Sequence, residues 1–305
     1  MSRAQLCKDL LPLERRVVSN CQNPLVYIFD ITGSMGNLPR LIFDKMPMVA
    51  GQIVEQKYLD KPEISLAAVG DVTCDEGPLQ VCDFAKIRDL DPLLKKIWIE
   101  SGGGGQHYES YEFMAYYYAR LYDMQGARLP ICLFTGDESF REKLSGTELR
   151  KHFGSQHEDI DAATVFEELK QKFNRNVFLL HRFYESHGLN KEIVEQWESV
   201  LGRGYVIKLP EDAAVADITL GILALVSGKR SLKNYVEDIK NRPLEMSGKK
   251  YKPQSQERIE MVVSALGPLE QVLKTRRNTI KNPKPTKQGR TNKPPNKKKS
   301  GGLKI

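Results

Sequence analysis

Two hydrophobic rhythms alternate along this chain. Short runs of β-branched and aromatic residues are separated by longer stretches in which apolar positions recur every three or four residues. The run Val26-Tyr27-Ile28-Phe29 is the clearest of the first kind and reads as a strand buried on both faces. It stops abruptly at Asp30-Ile31-Thr32-Gly33-Ser34-Met35. Further strands are expected at 63–69, 79–84, 130–134, 176–183 and 205–209, with Gly77-Pro78 spaced for a hairpin between the second and third. Helical periodicity marks 38–58, where Leu41, Ile42, Met48, Val49, Ile53 and Val54 share a face and Pro39 and Pro47 delay or bend the start. It also marks 86–99, 108–124, 162–173, 191–201 and 212–226, and then 232–239 and 259–273 in a C-terminal extension. Leu6, Leu10, Leu11, Leu13, Val17 and Val18 suggest a short helix within residues 1–20.

Strands that alternate with helices predict an α/β fold, a doubly wound and mostly parallel sheet flanked by helices. Such sheets bind ligands outside the carboxyl ends of their strands. Asp30, Asp71 and Asp137 each stand at such an end.

Composition changes this picture at the C-terminus. The 305 residues are 40% hydrophobic and carry +7, but residues 276–305 hold eleven Lys or Arg and no acid, which leaves −4 on the rest. With four prolines and three glycines that last stretch is expected to be a disordered basic tail. The expected division is therefore an N-terminal segment at 1–22, the α/β domain at 23–228, a helical extension at 229–275 and the tail at 276–305. No apolar run is long enough to span a bilayer, and Ile218 to Val226 reads as a buried core helix. The first residues, with Lys8, Asp9, Glu14, Arg15 and Arg16, lack the layout of a secretory signal. Cys7, Cys21, Cys74, Cys82 and Cys132 are an odd set without close pairs, which suggests free thiols in a reducing, cytoplasmic setting.

The candidate chemistry lies in three loops. Asp30, Thr32 and Ser34 alternate past the first strand, so their oxygens can converge on a small divalent cation, whereas N-capping of the next helix explains only one of them. Ser101-Gly102-Gly103-Gly104-Gly105-Gln106 precedes an aromatic-rich helix, and Thr135-Gly136-Asp137-Glu138 ends another buried strand.

Together these loops resemble the metal-ion-dependent adhesion site (MIDAS) of a von Willebrand factor type A (vWA) domain, over about residues 23–228. The resemblance implies that Thr32 and Ser34 bind Mg²⁺ or Mn²⁺ directly, that Asp30 and Asp137 do so directly or through water, and that Asp71 is a nearby acid behind these ligands. The chain departs from the family at Thr32, where serine is commoner, and in the second loop. There no threonine matches, and Gln106, or Ser101 in a shifted register, stands nearest. A cation held by neutral hydroxyls is short of negative charge, so a glutamate or aspartate of a partner protein can complete it. The resemblance also suggests an AAA-type ATPase complex as partner. This reading is a protein-interaction module rather than an enzyme.

Two other readings compete. A metal-dependent phosphohydrolase of the haloacid-dehalogenase type needs Asp-x-Asp where this chain has Thr32, and no Walker nucleotide motif occurs. The tail at 276–305 can bind nucleic acid without sequence preference, though it has no aromatic residue for stacking on single strands. His107, His152, His157, His181 and His187 are scattered, without cysteines at zinc-ligand spacing, and Tyr116, Tyr117 and Tyr118 read as helix packing.

Overall fold

Alternate residues of the first strand, β1 (Pro24–Asp30), enter two different cores: Leu25, Tyr27 and Phe29 one of them, Val26 and Ile28 the other. A strand buried on both sides has to lie inside a sheet with helices on each face. The computed structural model, which describes residues 5–100, 107–154, 158–183, 188–246 and 248–281, has that arrangement.

β1 is joined by β2 (Glu63–Val69), β3 (Leu79–Val81), β4 (Ala85–Lys86), β5 (Ile131–Gly136), β6 (Val177–Arg182) and β7 (Val206–Leu209) in a seven-stranded sheet. The order is β7-β6-β5-β1-β2-β3, with β4 also on β2. β3 and β4 run antiparallel to β2, which is the expected hairpin, and the remaining neighbours are parallel. The chain leaves β1 toward β2 and later returns to β5 on its other side. The switch point of this doubly wound, Rossmann-like sheet therefore lies between β1 and β5, where Asp30 and Asp137 end their strands.

Helices that flank the sheet include α1 (Leu38–Glu55), α2 (Tyr111–Tyr116), α3 (Ala162–Lys172), α4 (Asn190–Leu201), α5 (Val215–Val226), α6 (Leu232–Lys240) and α7 (Gln256–Lys281). α1, α5, α6 and α7 pack on the face of Tyr27 and Phe29, whereas α2, α3 and α4 pack on the face of Val26 and Ile28. The C-terminal helices thus share the core of the sheet. Pro39 sits in the first turn of α1, where its missing N–H costs no helical bond, and Pro47 lies inside without ending the helix. α5 is buried at all 12 positions. No helix among the described residues is long and apolar enough to cross a membrane. The five cysteines form no disulfide among the described residues, and Cys74 alone of them is exposed.

Several boundaries differ from expectation. The helix at 86–99 shrinks to a 3-10 turn, Ile87–Asp89, and a short helix, Leu90–Leu94. The Gln80 amide captures the chain beyond it, donating to the Trp98 carbonyl at 2.8 Å and accepting from its N–H at 2.9 Å. The helix at 108–124 begins at Tyr111, widens into a π-turn over Tyr117–Leu121 and gives way to Tyr122–Asp123, which pairs in parallel with Val17–Val18. The N-terminal segment is accordingly a strand and a 3-10 turn, Lys8–Leu10, rather than the expected helix. A helix at Gly146–Phe153 and a hairpin of Lys143–Leu144 with Ile160–Asp161 lay unseen in the periodicity. α7 continues to Lys281, so residues 276–281 of the expected tail are helical; the rest of the tail lies outside the described residues.

Candidate functional site

The first loop folds back on its own acid. Asp30 Oδ1 accepts from the Thr32 N–H at 2.8 Å and from the Thr32 hydroxyl at 2.6 Å, an Asp-x-Thr turn closed by two bonds. The Thr32 and Ser34 hydroxyl oxygens lie 3.1 Å apart, and Ser34 Oγ donates to Asp137 Oδ1 at 3.1 Å. Asp30, Thr32, Ser34 and Asp137 therefore form one continuous chain of side-chain oxygens across the switch point. Asp30 and Asp137 are fully buried, Thr32 is nearly so, and Ser34 is exposed at the mouth.

Tyr111, the first residue of α2, donates to Asp30 Oδ2 at 2.5 Å. The approach requires Gly136, because a Cβ there would collide with the Tyr111 hydroxyl. The glycine of Thr135-Gly136-Asp137 is thus a packing necessity. The residues before α2 hold the loops together: Glu109 N–H donates to the Ser139 carbonyl at 2.9 Å, Ser110 N–H to the Gly70 carbonyl at 3.1 Å, and Val72 N–H to Ser110 Oγ at 3.0 Å. From the other side the Trp197 indole donates to the Glu138 carbonyl at 3.1 Å.

Negative charge is concentrated here. Burial raises the Asp30 carboxyl to about 6, against the hydrogen bonds from Thr32 and Tyr111. Burial, and then the nearby Asp30, Asp75, Asp71 and Asp137, raise Glu109 to about 10. Glu112, wholly buried one turn on, rises to about 8 mainly through desolvation, which outweighs its backbone contacts and the pull of Arg141. At the rim stands Arg182, the last residue of β6. It reaches Asp137 Oδ2 at 3.8 Å, the Ser34 carbonyl at 2.8 Å and Asp212 at 2.9 Å.

Consecutive oxygens of this chain are spaced as neighbours around a small hard cation are. Octahedral Mg²⁺ with ligands at about 2.0–2.1 Å places neighbouring oxygens about 2.9 Å apart. The three steps from Asp30 to Asp137, at 2.6, 3.1 and 3.1 Å, bracket that value. Asp137 turns Oδ1 to this set and Oδ2 to Arg182. Among the described residues no cluster of three or more His, Cys, Asp or Glu suited to a metal occurs, so the set depends on its hydroxyls.

Asp71 behaves differently. It forms the same turn with Thr73, and Arg141 donates to its other oxygen at 2.7 Å. Burial works to raise Asp71, but Arg141 and Thr73 outweigh it and hold the carboxyl below its ordinary value. This acid already has its cation. Gln106 and Ser101 lie outside the described residues. Tyr111 and Arg182 were missed from the sequence. Arg182 has a readable signal, since it ends a parallel strand at the ligand-binding edge; Tyr111 has none, being one aromatic among many.

No family model matches this chain, and no curated protein does. Solved structures similar to it include a von Willebrand factor type A protein from Catenulispora acidiphila, 17% identical over 68% of this chain and 43% of that one, with a TM-score of 0.39. Another is proximal thread matrix protein 1 from the mussel byssus, with a zinc-occupied MIDAS motif: 9% identical, covering 68% and 48%, TM-score 0.45. A third is the pilus adhesin SpaC from Lactobacillus rhamnosus GG in its open conformation, 10% identical, covering 74% and 31%, TM-score 0.42. The match spans less than half the length of each of these chains. No site residue is carried over from them.

Proposed function

We propose that this chain is a vWA-type protein-interaction module in which Asp30, Thr32, Ser34 and Asp137 hold a divalent cation, Mg²⁺ or Mn²⁺, and through it an acidic side chain of a partner protein. The observation that carries the reading is the unbroken oxygen chain at 2.6, 3.1 and 3.1 Å, buried at its acidic ends and open at Ser34. A bound cation would supply positive charge and Lewis acidity for an anionic ligand. Thr32 and Ser34 contribute oxygens but no charge, and four protein oxygens would leave two of six coordination positions for water or an anionic ligand. Arg182 adds a fixed positive charge beside the mouth and favours the approach of a carboxylate. Tyr111 and Gly136 orient Asp30, and the Asp-x-Thr turn orients Thr32.

Recognition suits this set better than turnover. Burial raises the nearby carboxyls Glu109 and Glu112, to about 10 and about 8, which favours their neutral form over that of a general base.

Calorimetric titration of Mg²⁺ into the full-length protein tests the reading. Wild type is expected to give a saturable heat that Asp30→Ala and Ser34→Ala abolish. Equal heats from wild type and Asp30→Ala would remove the proposal. Retention of partner proteins on immobilised wild type, lost on chelation and in Asp30→Ala, tests the second half.

A further inference from the structure

A second charged region lies under the C-terminal helices. A cavity of about 400 Å³ opens between α1, the end of α6, the hairpin Glu245–Met246/Lys249–Lys250 and the start of α7. Lys45, Lys240, Arg242, Lys250, Lys252 and Arg258 line it. Three carboxylates pair with members of this set: Asp217 with Arg242 and Arg258, Glu211 with Arg258, and Glu237 with Lys240. Positive charge remains in excess.

Arg242 is the central observation. Its side chain is only 6% exposed, and one Nη binds Asp217, yet among the described residues Nε and Nη2 make no well-formed hydrogen bond, the Tyr235 hydroxyl beside the group only favouring its charge. Buried guanidinium N–H groups without acceptors are costly, and an anion in the cavity supplies acceptors. A second orphan lines the same space: the Tyr251 hydroxyl is buried with no hydrogen-bond partner among the described residues. The N-terminus of α7 adds its own donors there. Ser255 caps it, accepting from the Arg258 N–H at 3.1 Å, and lies on the cavity wall. Lys45 reaches the cavity from α1. Burial holds its ammonium below the ordinary value, and Arg258 and Arg242 push the same way against Asp217.

We infer that this cavity binds a phosphate-bearing small molecule. A guanidinium with free N–H groups, an ammonium, a tyrosine hydroxyl and a helix N-terminus are the donors that phosphate oxygens accept from. The volume exceeds that of a bare phosphate and falls within the range of small-molecule sites, and Met48, Ile239 and Leu244 offer apolar wall for an organic portion. The inference is independent of the cation reading, because no residue is shared between the two sets.

The experiment is calorimetric titration of full-length protein with inorganic phosphate, O-phosphoserine and adenosine monophosphate, at a fixed 150 mM NaCl. At least one probe is expected to bind saturably, and the preferred probe separates a free anion from an organic phosphate. Lys45→Met keeps the aliphatic stem and is expected to weaken binding about tenfold; Tyr251→Phe, which removes one oxygen, about fivefold. The basic tail is common to all variants and cannot account for a difference between them. Asp30→Ala is expected to bind the probe like wild type. Absence of saturable binding by all three probes, or equal dissociation constants in wild type and Lys45→Met, would overturn the inference.

Discussion

Two loops at the same edge of the sheet carry the same local design. Asp30-Ile31-Thr32 and Asp71-Val72-Thr73 each end a parallel strand. In each, one carboxylate oxygen accepts from the threonine N–H and hydroxyl, at 2.8 and 2.6 Å in the first and 2.9 and 2.8 Å in the second. They part at the other oxygen. Asp71 meets the Arg141 guanidinium at 2.7 Å, whereas Asp30 meets only the neutral Tyr111 hydroxyl. The environment moves the two acids in opposite directions, Asp71 below its ordinary value and Asp30 up to about 6. An identical turn can thus be a finished ion pair or an unfinished one; the unfinished one continues through the Ser34 hydroxyl to Asp137 of another strand, whereas Asp75 beside the finished one accepts from the Asp71 N–H.

The comparison breaks most visibly at Arg141. Arg141→Met leaves Asp71 buried without a counter-charge and is expected to cost about 3–5 kcal/mol in chemical denaturation. Glu112 sharpens the electrostatic side. Its carboxyl is raised from 4.5 to about 8, so between those values the native state keeps a proton that the unfolded chain has released. Stability is therefore expected to fall as pH rises through that window. Glu112→Gln should gain on wild type by on the order of 3 kcal/mol at pH 8 and little at pH 4.5, with Glu109 keeping part of the slope.

Metal separates the two turns directly. At a hundred times the dissociation constant Mg²⁺ should add about 2.7 kcal/mol to wild-type stability. The increment should vanish in Asp30→Asn and survive in Asp71→Asn, as read from denaturation midpoints with and without chelator. Gly136→Ala forces Tyr111 away from Asp30 and is expected to cost about 1–3 kcal/mol. The smallest effects are those of Thr32→Val and Thr73→Val, about 1 kcal/mol each in metal-free protein. Only the former should weaken Mg²⁺ binding.

The acidic loops were legible in the chain because each is local: an apolar run, an acid and a hydroxyl two residues on. The strands themselves were legible for the same reason, and Glu63–Val69 was expected residue for residue. What determines charge balance was not legible. Arg141 reaches Asp71 across 70 positions, Tyr111 reaches Asp30 across 81, and Arg182 reaches the Ser34 carbonyl across 148. The helix at 86–99 failed for a related reason, since the Gln80 amide outcompeted helical bonding at Trp98. The cavity of Lys45, Arg242 and Arg258 joins three distant segments, and no single stretch announces it.

The π-turn at Tyr117–Leu121 means that the chain between two fixed posts is longer than the span needs. One post is Tyr111 on Asp30; the other is Tyr122 aligned with Val17. A π-turn holds one residue more than an α-turn, and each residue turns an α-helix by about 100°. That surplus residue is slack: removing it should let the coil tighten to ordinary α geometry with both posts in place. Inserting one more has no such outlet and should swing Tyr111 off its acid.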